Sequence, residues 1–141
     1  MKLLHWGMLV AAIGVGTYAW SRWATVENPD AARATLRDEQ ERVRIKAEAD
    51  PSCPKETPIR VTIQNGADRK LTSVDFHLAI FEEGQADDLG AAQPDDSLAA
   101  PIAPFGSAAR CRAFPKGLPK HGARYFFRPE KRGMATFASA K

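Results

Sequence analysis

Hydrophobic and polar positions divide the chain of 141 residues into three stretches of different period. From Leu3 to Trp20 the run LLHWGMLVAAIGVGTYAW is apolar almost throughout, with His5 its only strongly polar member. At about 1.5 Å of rise per residue, roughly 20 helical residues cross a hydrocarbon core of about 30 Å. Trp6 lies near one end, and Tyr18, Trp20 and Trp23 lie near the other, where amphipathic rings settle at a membrane interface. The pattern predicts a transmembrane anchor over residues 1–24, its N-terminus in the cytoplasm and the remainder exported. The competing readings are a cleaved signal peptide and a buried core helix. Against cleavage, bulky Trp20 and Trp23 crowd the region and no clean AxA site follows. Gly7, Ala11, Ala12 and Gly16 stand at small-xxx-small spacings, which permit close approach to a second membrane helix.

The second stretch is charged. Asn28-Pro29 suits a helix start, and DAARATLRDEQERVRIKAEAD (Asp30 to Asp50) contains no Gly or Pro. Asp38 and Arg42 are four apart, as are Arg44 and Glu48, so opposite charges support a helix. Its apolar stripe, Leu36, Val43 and Ala47 with Gln40 between, is too short for a coiled coil. The expected element is a solvated helical stalk over residues 25–52, ended by Pro51 and Pro54 around Cys53.

After Cys53 the period becomes two. In PIRVTIQN, Ile59, Val61 and Ile63 share one face; in LTSVDFHLAIF, Val74, Phe76, Leu78 and Ile80 do. Asn65-Gly66 opens a polar turn, so these two strands are expected to pair as a hairpin. Pro104-Phe105-Gly106 introduces a third strand, Ser107 to Phe114, with Ala109, Cys111 and Ala113 inward and Arg110 and Arg112 outward. RYFFRP and MATFASA supply two more, joined by a turn at Lys131 to Gly133. Short alternating strands with Gly and Pro punctuation predict a mainly β fold, a small antiparallel sandwich over residues 53–141.

Composition is that of an ordinary globular chain, with 44% hydrophobic and 26% charged residues and a net charge of +3. That excess is too small to require nucleic acid. The charges are unevenly placed. Glu82, Glu83, Asp87, Asp88, Asp95 and Asp96 fall in one loop without a basic residue. Arg110, Arg112, Lys116, Lys120, Arg124, Arg128, Lys131 and Arg132 follow against Glu130 alone. Solvated, mutually offsetting charges are the plain explanation; a basic face for an acidic partner or anionic headgroups is the functional one. Within it Arg110, Arg112, Arg124, Phe126 and Arg128 form the candidate contact surface. Tyr125 and Phe127 share the other, core-facing side of their strand.

The two cysteines, Cys53 and Cys111, form no CxxC pair, which leaves a thioredoxin-like centre or a Cys-rich zinc site without ligands. In an oxidising compartment they would pair, stabilising so small a domain by roughly 4 kcal/mol. In a reducing cytosol they would be small buried hydrophobes.

PSCPKETPIRVTIQN, LTSVDFHLAIF and the Pro-Phe-Gly turn before Cys111 together resemble small bacterial envelope proteins. These combine one N-terminal membrane helix with a two-cysteine, immunoglobulin-like β-sandwich. The resemblance covers about Cys53 to Phe114 and implies export, a Cys53–Cys111 disulfide and no catalytic residues. The basic C-terminal end and the turn at Phe105 depart from that pattern.

Candidate chemistry is sparse. His77 stands two residues from Asp75 on one strand face, a spacing that serves a base oriented by a carboxylate but also an ordinary polar face. His77 or His121 could carry an enzyme site or a copper site, the latter with Met134, although no ligand spacing joins them. No GxSxG, GxGxxG or GxxxxGK[ST] motif occurs, and the paired acids lack EF-hand spacing. The resulting expectation is a single-pass protein of the bacterial inner membrane. Its periplasmic β-sandwich is not an enzyme, takes no cofactor or metal, and serves as an interaction or assembly module for another envelope protein.

Overall fold

Charge pairs four residues apart hold a helix only as far as Arg42. The structure, a computed structural model, describes residues 29–98 and 100–139. The expected anchor over residues 1–24 therefore lies outside the described residues. Among the described residues no helix is long and apolar enough to cross a membrane. The chain divides into two units, residues 1–37 and 38–141. In the first, the described residues are helical, and the Thr35 hydroxyl donates to the Ala31 carbonyl at 3.0 Å.

Helix α1 runs Pro29–Arg42, with Asp30 in its first turn and Arg42 in its last, both favourable to the helix dipole. Arg42 pairs with Asp38 at 2.7 Å. The next residues do not continue the helix. Strand β1, Val43–Ala49, replaces the second half of the expected stalk and pairs antiparallel with β2, Ile59–Asn65, along its whole length. The reason is local. Val43, Ile45 and Ala47 alternate with Arg44, Lys46 and Glu48, and only an extended chain puts Val43 and Ile45 on one face. That face meets the core, with Val43 buried and Ile45 and Ala47 packed against it. Glu48 accordingly pairs with Lys46, not with Arg44.

Among the described residues two three-stranded antiparallel sheets result. The first has the order β1-β2-β5, where β5 is Ser107–Arg112; the second is β4-β3-β6, from Asp96–Ser97, Leu71–Glu82 and Tyr125–Phe137. The expected hairpin between β2 and β3 is not formed, because consecutive strands enter different sheets. Asn65 organises this crossing. Its buried amide donates to the carbonyls of Arg69, Ile102 and Ala103, while its oxygen accepts the Ala67 N–H. Those bonds turn the chain out of the first sheet before Leu71 begins the second.

Ile59, Val61 and Ile63 join Leu71, Val74, Phe76, Leu78 and Ile80 in one buried cluster drawn from both sheets. These are the inward residues the alternation predicts. In β5 the frame is inverted. Arg112, Arg110 and Ala108 lie opposite Ile59, Val61 and Ile63, so the arginines occupy the core-side positions and Ala109 and Cys111 the outer ones. In β6 the expected turn at Lys131 to Gly133 is instead a bulge within one continuous strand. Asp75 pairs with Arg132 and Ser73 with Thr136, so the partner strand carries extra residues. Gly133 takes a positive φ of 68°, and Met134 projects into solvent. Pro129 is tolerated within β6 because this strand is at a sheet edge.

Cys53 and Cys111 are joined, with Cα atoms 5.8 Å apart, so the connection between β1 and β2 is tied to β5. Beside this bridge Asp50 takes the Ser52 N–H at 2.7 Å and an ion pair from Arg60. Hydrogen bonds from Ser52 hold the Asp50 carboxyl below the usual range; burial opposes them, and the Arg60 charge and hydrogen bond add smaller lowering effects. On the opposite side of the domain, the Gln40 amide reads β6 as a strand partner would. It donates to the Ala135 carbonyl at 2.6 Å and accepts the Ala135 N–H at 2.7 Å.

Candidate functional site

The five residues of the candidate contact surface fall in two places. Arg110 and Arg112 do not reach solvent as a basic face. Their guanidinium groups converge on Asp96, a nearly buried carboxylate of β4, with Arg112 at 2.9 Å and Arg110 in direct contact. Arg110 also lies 5.9 Å from the Phe76 ring centroid. Because β5 and β4 belong to different sheets, this triad is a polar clasp between them. The outward assignment of these arginines is thus corrected. A strand with charges at alternate positions is ordinarily read charge-out, and the compensating carboxylate is distant in sequence.

Arg124, Phe126 and Arg128 remain together near the beginning of β6. Phe126 is 57% exposed and Arg124 is exposed as well. Tyr125 and Phe127 turn to the other side, against Phe114 at ring-centroid distances of 5.2 and 5.9 Å. Arg128 stacks 4.8 Å from the Phe81 centroid and pairs with Glu130 at 3.0 Å. Glu83 stands 4.0 Å from Arg124, and Lys120 is bonded to Glu82. That bond and the Glu82 charge raise the Lys120 ammonium above its usual range. The patch is an aromatic ring within a lattice of balanced charges, not an excess of positive charge.

The acidic loop has a structural task. Asp88 accepts the Ile80 N–H and the Gly90 N–H, each at 2.8 Å, and Leu89 donates its N–H to the Ile80 carbonyl. The loop thereby covers the edge of β3 beyond the two residues of β4. His77 is buried beneath it, not exposed. Its Nε2 lies 2.8 Å from Asp88 and its Nδ1 lies 3.4 Å from Asp95. The carboxylates that face His77 are thus those of Asp88 and Asp95; Asp75, the one closest in sequence, lies in register between Arg132 and Ser97. Sequence spacing could not find this pair, because loop residues eleven and more positions away fold back over the strand.

With Nε2 bonded to Asp88 and Nδ1 facing Asp95, His77 ties the acidic loop to β3. His121 is exposed in a turn. Among the described residues no three His, Cys, Asp or Glu side chains gather as a metal-ligand set.

The Asp88 anchor has a pH signature. Partial burial pushes its carboxyl up, but the Ile80 N–H, His77 and the Gly90 N–H outweigh this and hold it below the usual carboxylate range. A carboxyl depressed in the folded state contributes stability above its unfolded value of about 3.9, and that contribution is lost as pH falls through the folded value. Asp88→Asn is therefore expected to cost about 1 kcal/mol at pH 7 and progressively less as pH falls below about 4. Urea denaturation of both proteins at neutral and acid pH checks this; a penalty independent of pH contradicts it.

Comparison with protein-family models, with curated proteins and with solved structures finds no match to this chain.

Proposed function

We propose that this chain is a single-pass envelope protein of the bacterial inner membrane, with an exported, immunoglobulin-like β-sandwich that binds another envelope protein and performs no catalysis. The Cys53–Cys111 disulfide carries the reading, because such bonds persist in oxidising compartments and are rare in the cytosol. The apolar run Leu3 to Trp20 supplies a means of export and retention. Engagement of both His77 nitrogens by carboxylates speaks for a binding module over a hydrolase-like site. The exposed Phe126, flanked by Arg124 and Arg128, offers an aromatic and arginine surface of the composition favoured at protein interfaces.

Alkaline phosphatase fused to the C-terminus is expected to be active, and the same fusion with a fluorescent protein that folds only in the cytoplasm is expected to be dark. Thiol alkylation in intact cells should leave both cysteines unlabelled until reductant is added. A fluorescent fusion with a dark phosphatase counterpart, or two freely labelled thiols, overturns the proposal. Purification in mild detergent is expected to retain a protein partner, and a strictly solitary monomer under varied conditions contradicts the interaction role.

A further inference from the structure

Phe105 stands where a side chain is least welcome. The Gly106 N–H donates to the Ala103 carbonyl at 3.0 Å, closing a turn in which Pro104 and Phe105 are the central residues. The second central residue of such a turn needs a positive φ when the turn is of the type that Pro at the first favours, and Gly or Asn usually fills it. Here it is Phe105, with φ at 56° and 70% of its surface exposed. Its backbone is held on the other side by the Phe105 N–H donating to the Ala67 carbonyl. Neither core packing nor turn chemistry accounts for an aromatic ring at this position.

The ring borders a cleft of about 510 Å³ at one end of the first sheet. Arg44, Gln64 and Ser107 lie side by side across β1, β2 and β5, because Arg44 is opposite Gln64 and Gln64 is opposite Ser107. All three are exposed. Arg42 lines the same cleft from the end of α1, its charge shared with Asp38. Arg44 has no carboxylate partner among the described residues, in contrast to Arg110, Arg112, Arg124 and Arg128. Among the described residues no acidic side chain lines the cleft. Gly66 closes its floor: a Cβ there would come within 2.9 Å of the Arg42 carbonyl oxygen.

We propose that this cleft binds an acidic segment of a protein partner, with Arg44 and Arg42 taking its carboxylates, Gln64 and Ser107 hydrogen-bonding its backbone, and Phe105 covering an apolar part of the segment. A guanidinium without a counterion beside an exposed aromatic ring is the pairing expected of an interface anchor awaiting a negatively charged ligand. The volume is that of a pocket for a few side chains, whereas a flat layer of lipid headgroups would meet only the rim. This inference rests on the interaction role proposed above and names the chemistry of the partner.

The full-length protein in detergent should be titrated into a fluorescein-labelled peptide of alternating Asp and Ala, read by anisotropy, with an Asn–Ala peptide as its neutral counterpart. The acidic peptide is expected to bind saturably and more weakly as salt rises, and the neutral one at least tenfold more weakly. Arg44→Gln should weaken binding roughly tenfold, the loss of one charge-assisted bond. Phe105→Gly should also weaken it several-fold while raising the denaturation midpoint, since glycine relieves the positive φ. Lys116→Gln, at an exposed position away from the cleft, should leave it unchanged. No saturable binding, equal binding of the neutral peptide, or indifference to both cleft substitutions overturns the site. Arg44-dependent attachment to phosphatidylserine vesicles without peptide binding also overturns it, in favour of a lipid surface. If an envelope partner co-purifies equally with wild type and Arg44→Gln, the interaction role survives and this site does not. If no partner is retained yet the peptide binds through Arg44 and Phe105, the cleft stands and the broader role fails.

Discussion

Asp96→Asn is expected to destabilise the domain by about 3–5 kcal/mol, the largest loss from any single polar change in this fold. The carboxylate is 8% exposed and meets Arg110 and Arg112, whose side chains are themselves about one-third exposed, at 32% and 29%. Removing its charge leaves two guanidinium groups on the core side of β5 with no counterion. The penalty for an uncompensated charge there exceeds the net worth of the original pairing. Partial exposure lets water reach the arginines, so the lower end of the range is the better expectation. Far-UV circular dichroism during urea denaturation measures the effect. Asp95→Asn, one residue away with a half-exposed side chain, should cost under about 1 kcal/mol. Replacing the triad together, by Asp96→Leu, Arg110→Met and Arg112→Met, should recover most of the stability, as apolar replacement removes the desolvation burden. A loss below about 1 kcal/mol for Asp96→Asn would contradict the role of the clasp in joining the sheets.

The same triad shows where the amino-acid pattern speaks and where it is silent. Period-two alternation identified β2 and the inward residues of β3 correctly, because each buries one face composed almost wholly of Ile, Val, Leu and Phe. It also separated Phe126 from Tyr125 and Phe127. In β5 the apolar residues are only Ala and Cys, so alternation alone suggested the wrong face. The correct frame depends on Asp96, which reaches the arginines only after the chain has passed through another sheet. Similarly, β1 carries helical charge spacing and strand-like apolar spacing in the same seven residues, and pairing with β2 decides between them. Tertiary contact selects the strand because it places Val43 in the core. His77 was legible as a polar-face residue but not as a buried one, since its cover comes from the acidic loop. The cleft at Phe105 had a visible trace: an aromatic residue in the turn position that usually belongs to glycine.

Loss of the Cys53–Cys111 bridge is expected to lower stability by about 4 kcal/mol, the chain-entropy value for a closed loop of this length. The sequence separation is 58 residues, so the bridge restricts much of the unfolded chain. Its position adds a native-state consequence. Among the described residues β5 is an edge strand paired with β2 alone, and its core side carries two arginines in place of aliphatic side chains. Hydrophobic burial therefore contributes little to holding β5, and the bridge fastens it from the opposite face. Reduction, or the double change Cys53→Ala with Cys111→Ala, should shift the urea midpoint of the full-length protein downward by an amount matching that loss. Amide exchange should quicken first in Ser107–Arg112, ahead of β2 and β3, which share the aliphatic core. Combining the cysteine changes with Asp96→Asn should abolish folding, because both attachments of β5 other than its ladder are then gone. A reduced protein within about 1 kcal/mol of the oxidised one would mean that the fold tolerates a reducing cytosol, and the case for an exported domain would lose its physical basis.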